Sequence, residues 1–390
     1  MKVRCLEDLE KIASTKKNIL TLFSGGLDSS YILYLLRNSE AKVYALAVDV
    51  GDDINKETLS EITHYFNVEL IVIDAKERFL SNAVLPALQA KAKYMGLYPI
   101  SASLSRPIIA SYAVEQAALL NSDVIIHSAN QSQNSLRRLN GAIEQLGFNG
   151  YYGSPYEYSA ITREKKIKDL DAIGLGSFKS RGISGDSNLW CREFESGLLE
   201  NPEAFNIPLD VYKWIRKPPL TTEQVITISY KNGIPIALNN KTLDVLSLIN
   251  QLNHIAGAVG IGQFCGLEHL DQGEKVLEIR EAPAASLLMD AYQHLEMASL
   301  DAELLREKIH IEQLWIREAV EGRWYGPLKI ASEAFISNIA KYINGSVSYH
   351  LANGTSQVTS IIASKPLYLK ERDHWELSTA HQRSLRHLEL

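Results

Sequence analysis

The sequence predicts an α/β fold: an N-terminal parallel-sheet domain, then an α+β domain, then a short helical tail. Three observations predict it. Strand-like and helix-like patterns alternate from residue 18 to about residue 150, as they do where helices cross between parallel strands. A Gly25-Gly26 turn joins the first strand to the first of these helices. Beyond residue 165 the alternation gives way to hairpins and longer helical stretches. The boundaries fall at residues 1–165, 166–370 and 371–390.

The elements follow in order. Residues 18–23 are apolar enough for a buried strand, and residues 31–36 continue as helix beyond the glycines. Residues 43–48 read as a strand, 56–66 as a helix and 69–73 as the next strand. Residues 108–121 are helical and 123–126 form a later strand. Polar motifs sit where those strands end, at residues 24–30, 49–53 and 127–134, the usual ligand side of a parallel sheet. Residues 151–155 lead into a charged helix near the boundary. Residues 225–230 and 234–237 flank a Lys231-Asn232-Gly233 turn, a hairpin signal. Residues 242–256 look helical, 286–309 are charged and helix-rich, and 346–350 and 357–363 look like strands. The tail is polar and mostly helical, and it reads either as a frayed end or as an arm that packs on a neighbouring subunit.

Composition excludes several classes. A net charge of −6 gives no broad basic surface for nucleic acid. Three scattered cysteines, Cys5, Cys191 and Cys265, offer neither a disulfide framework nor a zinc site. No apolar run is long enough to span a membrane, and the first residues carry too many charges for a signal peptide. A cytoplasmic enzyme acting on small molecules is expected.

Residues 24–30, Ser-Gly-Gly-Leu-Asp-Ser-Ser, carry the most chemistry. The glycines let backbone N–H groups approach an anion, and the helix that follows adds positive potential. Ser24, Ser29 and Ser30 supply hydroxyl donors, and Asp28 suits Mg²⁺ or loop orientation. The run lacks the Gly-Lys-Ser of a Walker loop. It resembles the PP-loop of ATP pyrophosphatases, which cleave ATP between the α and β phosphates.

Further motifs widen the resemblance. They are residues 98–107, 127–138, 184–190 with 197–202, Gly260-Ile261-Gly262, Glu268, and Glu281-Ala282-Pro283. In that order they resemble the argininosuccinate synthase family, over residues 18 to about 370. The resemblance implies a PP-loop nucleotide-binding domain of the adenine nucleotide alpha hydrolase type, a synthetase domain, and a tail that helps build a homo-oligomer, tetramer or dimer. It implies ATP and Mg²⁺ as cofactors and no resident metal. It places ATP against Leu22, Phe23, Ser24, Gly25, Gly26, Leu27, Asp28, Ser29, Ser30 and Val48. Ser24, Asp28 and Ser29 stand nearest the chemistry. Tyr98, Ser103, Arg106, Asn134, Arg138, Ser184 and Glu268 are implied for a ureido amino acid. Asn130, Asn134 and Ser135 are implied for the amine donor. Arg138 and Glu268 suit a carboxylate and an ammonium, since charge-assisted hydrogen bonds are the strong ones.

Some positions depart from the family pattern. Its Thr-Gly-Lys-Gly-Asn-Asp loop is here Asn130-Gln131-Ser132-Gln133-Asn134-Ser135. Glu193 stands for a serine and Arg280 for a tyrosine in the ureido-substrate pocket. Either these two pair with each other, a compensated exchange, or they recognise a differently charged substrate. The departures favour an AMP-forming ligase that adenylates a ureido group and condenses it with an amine, using non-standard substrates. The alternatives are a true argininosuccinate synthase, acting on citrulline and aspartate in arginine biosynthesis, and a non-catalytic nucleotide or amino-acid sensor.

Overall fold

The computed structural model describes all residues except 52–53, 177, 179–182, 216–222, 271 and 389–390, with side chains of 184 and 381–388 also set aside. The N-terminal strands are β1 (Lys2–Val3), β2 (Asn18–Leu22), β3 (Lys42–Asp49), β4 (Glu69–Asp74), β5 (Lys93–Tyr94), β6 (Tyr98–Pro99), β7 (Val124–Ile126) and β8 (Tyr151–Gly153). Six of them form one parallel sheet in the order β1-β8-β7-β2-β3-β4, and β5 and β6 form a separate small hairpin. Strands buried on both faces need continuous apolar runs. In β2, Ile19 enters the core on one face with Ile32, Val43 and Ile126, and Leu20 enters the other with Leu46, Ala113 and Ile125.

The order places a topological switch between β2 and β7. From β2 the chain moves outward through β3 and β4, then returns to build β7 and β8 on the other side. A crevice opens at such a point beyond the strand ends. The polar motifs after β2 and β7 meet there.

The second half supplies β9 (Ser184–Ser187), β10 (Arg192–Glu195), β11 (Glu223–Lys231), β12 (Ile234–Leu238), β13 (Lys241–Thr242), β14 (Gln263–His269), β15 (Lys275–Glu281), β16 (Gly345–Ala352) and β17 (Thr355–Ala363). An antiparallel sheet β14-β15-β10-β9 faces the crevice, and a second sheet, β13-β12-β11-β16-β17, packs on the helices Val245–Ala258 and Pro283–Ser299. The expected α/β and α+β architecture is present, with the tail helix Arg372–Leu388 after it.

Three boundaries move. The helix expected from residue 108 begins at Ala102, and Pro107 lies within it. The helix expected from 242 begins at Val245, capped by Asp244, because Thr242 is taken into β13. The stretch 286–309 is split between two helices, Pro283–Ser299 and Ala302–Val320, with Asp301 capping the second. Cys5 is half-buried, Cys191 buried and Cys265 exposed, all as free thiols.

Candidate active site

The loop after β2 is built by geometry that only glycine accepts easily. Gly25 has φ +70°, and a Cβ there would lie 2.4 Å from Leu59 Cδ2. The loop hydroxyls organise one another: Ser24 Oγ and Ser29 Oγ are 3.2 Å apart, and Ser29 Oγ donates to the Gly26 carbonyl at 3.2 Å. The helix Leu27–Leu36 starts at once, with no side chain capping its first turn. Its early N–H groups therefore present positive potential to the crevice. Lys166 Nζ donates to Asp28 Oδ1 at 2.7 Å, and Tyr156 Oη donates to the Asp28 carbonyl at 3.1 Å. Lys166 thus ties the first helical turn to the neighbouring helix Arg163–Asp171, and Tyr156 ties it to the segment before that helix.

A cavity of about 580 Å³ opens over this loop. It is lined by Leu22, Phe23, Ser24, Gly25, Gly26, Leu27, Asp28, Ser29 and Val48 from the ATP-side set, and by Arg106, Asn134, Ser135, Arg138 and Glu193 from the substrate-side sets. Ser30 is fully buried and does not line it.

Across from the loop, side chains converge on Glu268, a β14 residue only 2% exposed. Asn134 Nδ2 donates to its Oε1 at 2.9 Å, and Arg138 Nη2 reaches the same oxygen at 2.5 Å. Arg280 Nη2 reaches Oε2 at 2.9 Å, and Tyr98 Oη approaches it at 3.5 Å. Burial alone would push this carboxyl up; the two guanidiniums outweigh it and hold the group well below the usual carboxylate range. Arg138 is itself buried, with Nε donating to the Val320 carbonyl at 3.0 Å. Neither a surface ion pair nor a solvated strand end describes this pair.

Glu193 and Arg280 are register partners on β10 and β15, and Arg280 Nη1 meets Glu193 Oε1 at 2.9 Å. Glu193 Oε1 also accepts the Ala102 N–H at 2.7 Å. Arg280 contacts Glu278 as well, and its guanidinium lies 4.3 Å over the Tyr98 ring. Burial and the neighbouring carboxylates push Glu278 well above its ordinary range.

The loop after β7 is differently arranged. Asn130 turns inward, its Oδ1 accepting Ser132 N–H at 3.0 Å and Ser132 Oγ–H at 2.7 Å, and it does not line the cavity. Ser135 Oγ accepts from Arg106 Nε at 3.0 Å, while Arg106 Nη2 meets Asp186 Oδ2 at 2.7 Å. Ser103 is buried at the start of its helix, away from the cavity lining. Ser184 occupies β9 opposite Glu195, and its side chain is outside the described residues. His127 follows β7 as a buried imidazole facing Asn140 Oδ1 at 3.0 Å; burial lowers its pKa to about 4.

Sequence reasoning missed Arg163, Lys166, Asp186, Glu195 and Glu278, of which all but Lys166 line the cavity. A charged helix reads as a solvated one, so Arg163 and Lys166 gave no signal. The β9, β10, β14 and β15 strands that carry the carboxylates were not anticipated either.

Among the described residues no group of three or more His, Cys, Asp or Glu side chains is placed to hold a metal, and no helix is long and apolar enough to cross a membrane.

Comparison with known proteins agrees with this architecture. Residues 18–174 match the arginosuccinate synthase N-terminal HUP domain, and residues 183–386 match the arginosuccinate synthase C-terminal domain. The chain is 34% identical over 371 residues to the argininosuccinate synthase of Pyrococcus furiosus, covering 94% of this chain and 90% of that protein. Two solved structures are similar over less than half of the chain. One is the NH3-dependent NAD synthetase from Campylobacter jejuni, with a TM-score of 0.31, 21% identity, and coverage of 45% of this chain and 72% of that one. The other is the NMN synthetase from Francisella tularensis, with a TM-score of 0.35, 13% identity, and coverage of 46% and 74%. With both family models matched in order and one relative aligned nearly end to end, the chain belongs to the argininosuccinate synthase family and is an ATP-dependent C–N ligase of the PP-loop superfamily.

Proposed function

We propose that this ligase joins the ureido carbon of citrulline to the amine of aspartate, releasing AMP and pyrophosphate. One observation carries the reading: a single cavity is bordered on one side by the glycine loop and on the other by Asn134 and Arg138 bound to Glu268. The loop suits phosphates. The Arg138–Glu268 pair suits an amino-acid zwitterion, whose carboxylate would take over Arg138 and whose ammonium would take over Glu268. Exchange of one buried ion pair for two costs little net charge, whereas a lone charge entering there would be costly.

In this reading the ureido oxygen attacks the α-phosphorus, the bridging Pα–O bond breaks, and pyrophosphate leaves with its electron pair. The amine then adds to the ureido carbon, loses a proton, and AMP departs. Positioning and charge neutralisation supply most of the acceleration. Asp28 is the only carboxylate in the loop, and Lys166 already binds it. One carboxylate and a few hydroxyls suit Mg²⁺ that arrives on the phosphates with most of its waters, rather than a dedicated protein site. Bound there, the ion would offset phosphate charge.

The Glu193–Arg280 contact supports the compensated exchange: the two charges answer each other across adjacent strands, as register partners. They then fill the pocket without selecting a new substrate. A second reading, non-standard substrates, is favoured by Ser135, which brings no charge to an amine donor's ammonium and instead accepts from Arg106. Incubation with MgATP and a panel of ureido acids against amines separates the two. Argininosuccinate with AMP supports the first; an adduct only from another pair supports the second. We further propose that the tail packs on a second copy of the chain, since Trp375 and Leu377 on its helix are 47% and 74% exposed.

A further inference from the structure

The glycine loop has a chemical deficit: its polar side chains are hydroxyls and one carboxylate, with no cation. Expulsion of pyrophosphate concentrates negative charge beside that loop, so a cation must come from elsewhere. Three described arginines line the cavity, namely Arg106, Arg138 and Arg163. Arg106 and Arg138 stand on the substrate wall, beside Asp186 and Glu268 of the β14-β15-β10-β9 sheet.

Arg163 belongs to a different wall. Its helix, Arg163–Asp171, packs on the helix Leu27–Leu36 that follows the glycine loop. Two contacts fix the register between them. Lys166 Nζ meets Asp28 Oδ1 at 2.7 Å, and Tyr31 Oη donates to Asp169 Oδ2 at 2.7 Å. A step of three residues along one helix thus matches a step of three along the other, so the helices run in the same direction. Their N-termini point the same way, toward the cavity. Residues three apart share a helix face. One turn back from Lys166 is Arg163, and one step of three back from Asp28 is Gly25. Both line the same cavity. Arg163 is exposed, as a group at the cavity mouth must be if it is to meet an incoming polyphosphate.

We propose that Arg163 binds the β and γ phosphates of ATP and accompanies the departing pyrophosphate. The inference rests on the AMP-forming reading above for its catalytic meaning. When the acceptor oxygen bonds to the α-phosphorus and the Pα–O bond to the β-phosphate breaks, the electron pair leaves with pyrophosphate. Arg163 donates hydrogen bonds to that anion and gives up no proton, since its guanidinium stays charged throughout. Lys166 sets the register by holding Asp28; it is a positioning residue.

The test uses the full chain with Arg163→Gln and Arg163→Lys, and titrates MgATP and AMP separately by calorimetry. Loss of charge-assisted bonds to phosphate predicts MgATP affinity about tenfold or more weaker in R163Q, with AMP affinity within about twofold of the parent. R163K should recover part of the loss. Thermal unfolding should be nearly unchanged, because the side chain is exposed. MgATP bound equally well by R163Q and the parent would overturn the proposal, and so would AMP weakened as much as MgATP. The titrations need no acceptor substrate, so they judge Arg163 independently of the ligation reading. That reading fails separately if the parent enzyme turns over to ADP instead of AMP.

Discussion

Glu268 shows how single residues set the character of this site. A carboxylate 2% exposed is tolerable only because Arg138, Arg280 and Asn134 all bind it. Removing one partner leaves charge uncompensated, which typically costs about 3–5 kcal/mol. Arg138→Met should therefore lose about 3 kcal/mol of stability in urea unfolding, and weaken the ureido substrate as well; a loss under about 0.5 kcal/mol would show that the pair is not buried as described. His127 gives a pH signature. Burial lowers its folded pKa to about 4 from the usual 6.5, so as pH falls through that window the unfolded chain takes up a proton that the folded chain refuses. The contribution to stability is present above 6.5 and is lost between 6.5 and 4. His127→Asn should flatten the stability–pH curve over that window, and an unchanged slope would contradict the assignment. At this scale the sequence was partly legible. The resemblance brought forward Asn134, Arg138 and Glu268, which do converge. No local pattern could reveal that Glu193 faces Arg280, because cross-strand register is set by long-range pairing.

Elements were legible where one local rule dominated. The buried strands β2 and β3 and the half-buried edge strand β4 show as apolar runs, and the hairpin β11–β12 shows through Asn232-Gly233 at its turn. The four-stranded sheet at the site did not show. Its strands carry Arg192, Glu193, Glu195, Glu268, Glu278, Arg280 and Glu281, so charge masks the short apolar alternation of Phe194, Leu277 and Ile279. One face buries Phe194, Leu277 and Ile279, while the other buries Glu193, Glu268, Glu278 and Arg280, which pairing between carboxylates and a guanidinium makes possible. The helix Ala102–Leu119 was read six residues short for a related reason: its first turns are serines and a proline, which favour caps and turns in isolation. Function thus breaks the local rules that make elements readable. The parallel pair of helices Leu27–Leu36 and Arg163–Asp171 belongs here too, since their shared register carries Arg163 to the glycine loop.

The whole molecule places two chemistries at one opening. The parallel sheet brings its switch point to the cavity, and the antiparallel sheet brings the ion-pair network to the opposite side. The tail lies outside this arrangement. Deleting residues 371–390 should lower the subunit count seen by sedimentation while leaving the cavity residues in place; an unchanged mass would contradict a role in assembly. The α/β then α+β organisation was readable from patterning alone, whereas the closure of the cavity was not, because it joins segments more than 100 residues apart, such as Asn134 with Glu268. The most direct measurement is isotope transfer: citrulline labelled with ¹⁸O at its ureido oxygen, incubated with MgATP, aspartate and the full chain. The account predicts argininosuccinate, pyrophosphate and AMP carrying the label, because the ureido oxygen becomes bonded to the α-phosphorus. Unlabelled AMP beside the ligated product, or ADP in its place, would contradict it.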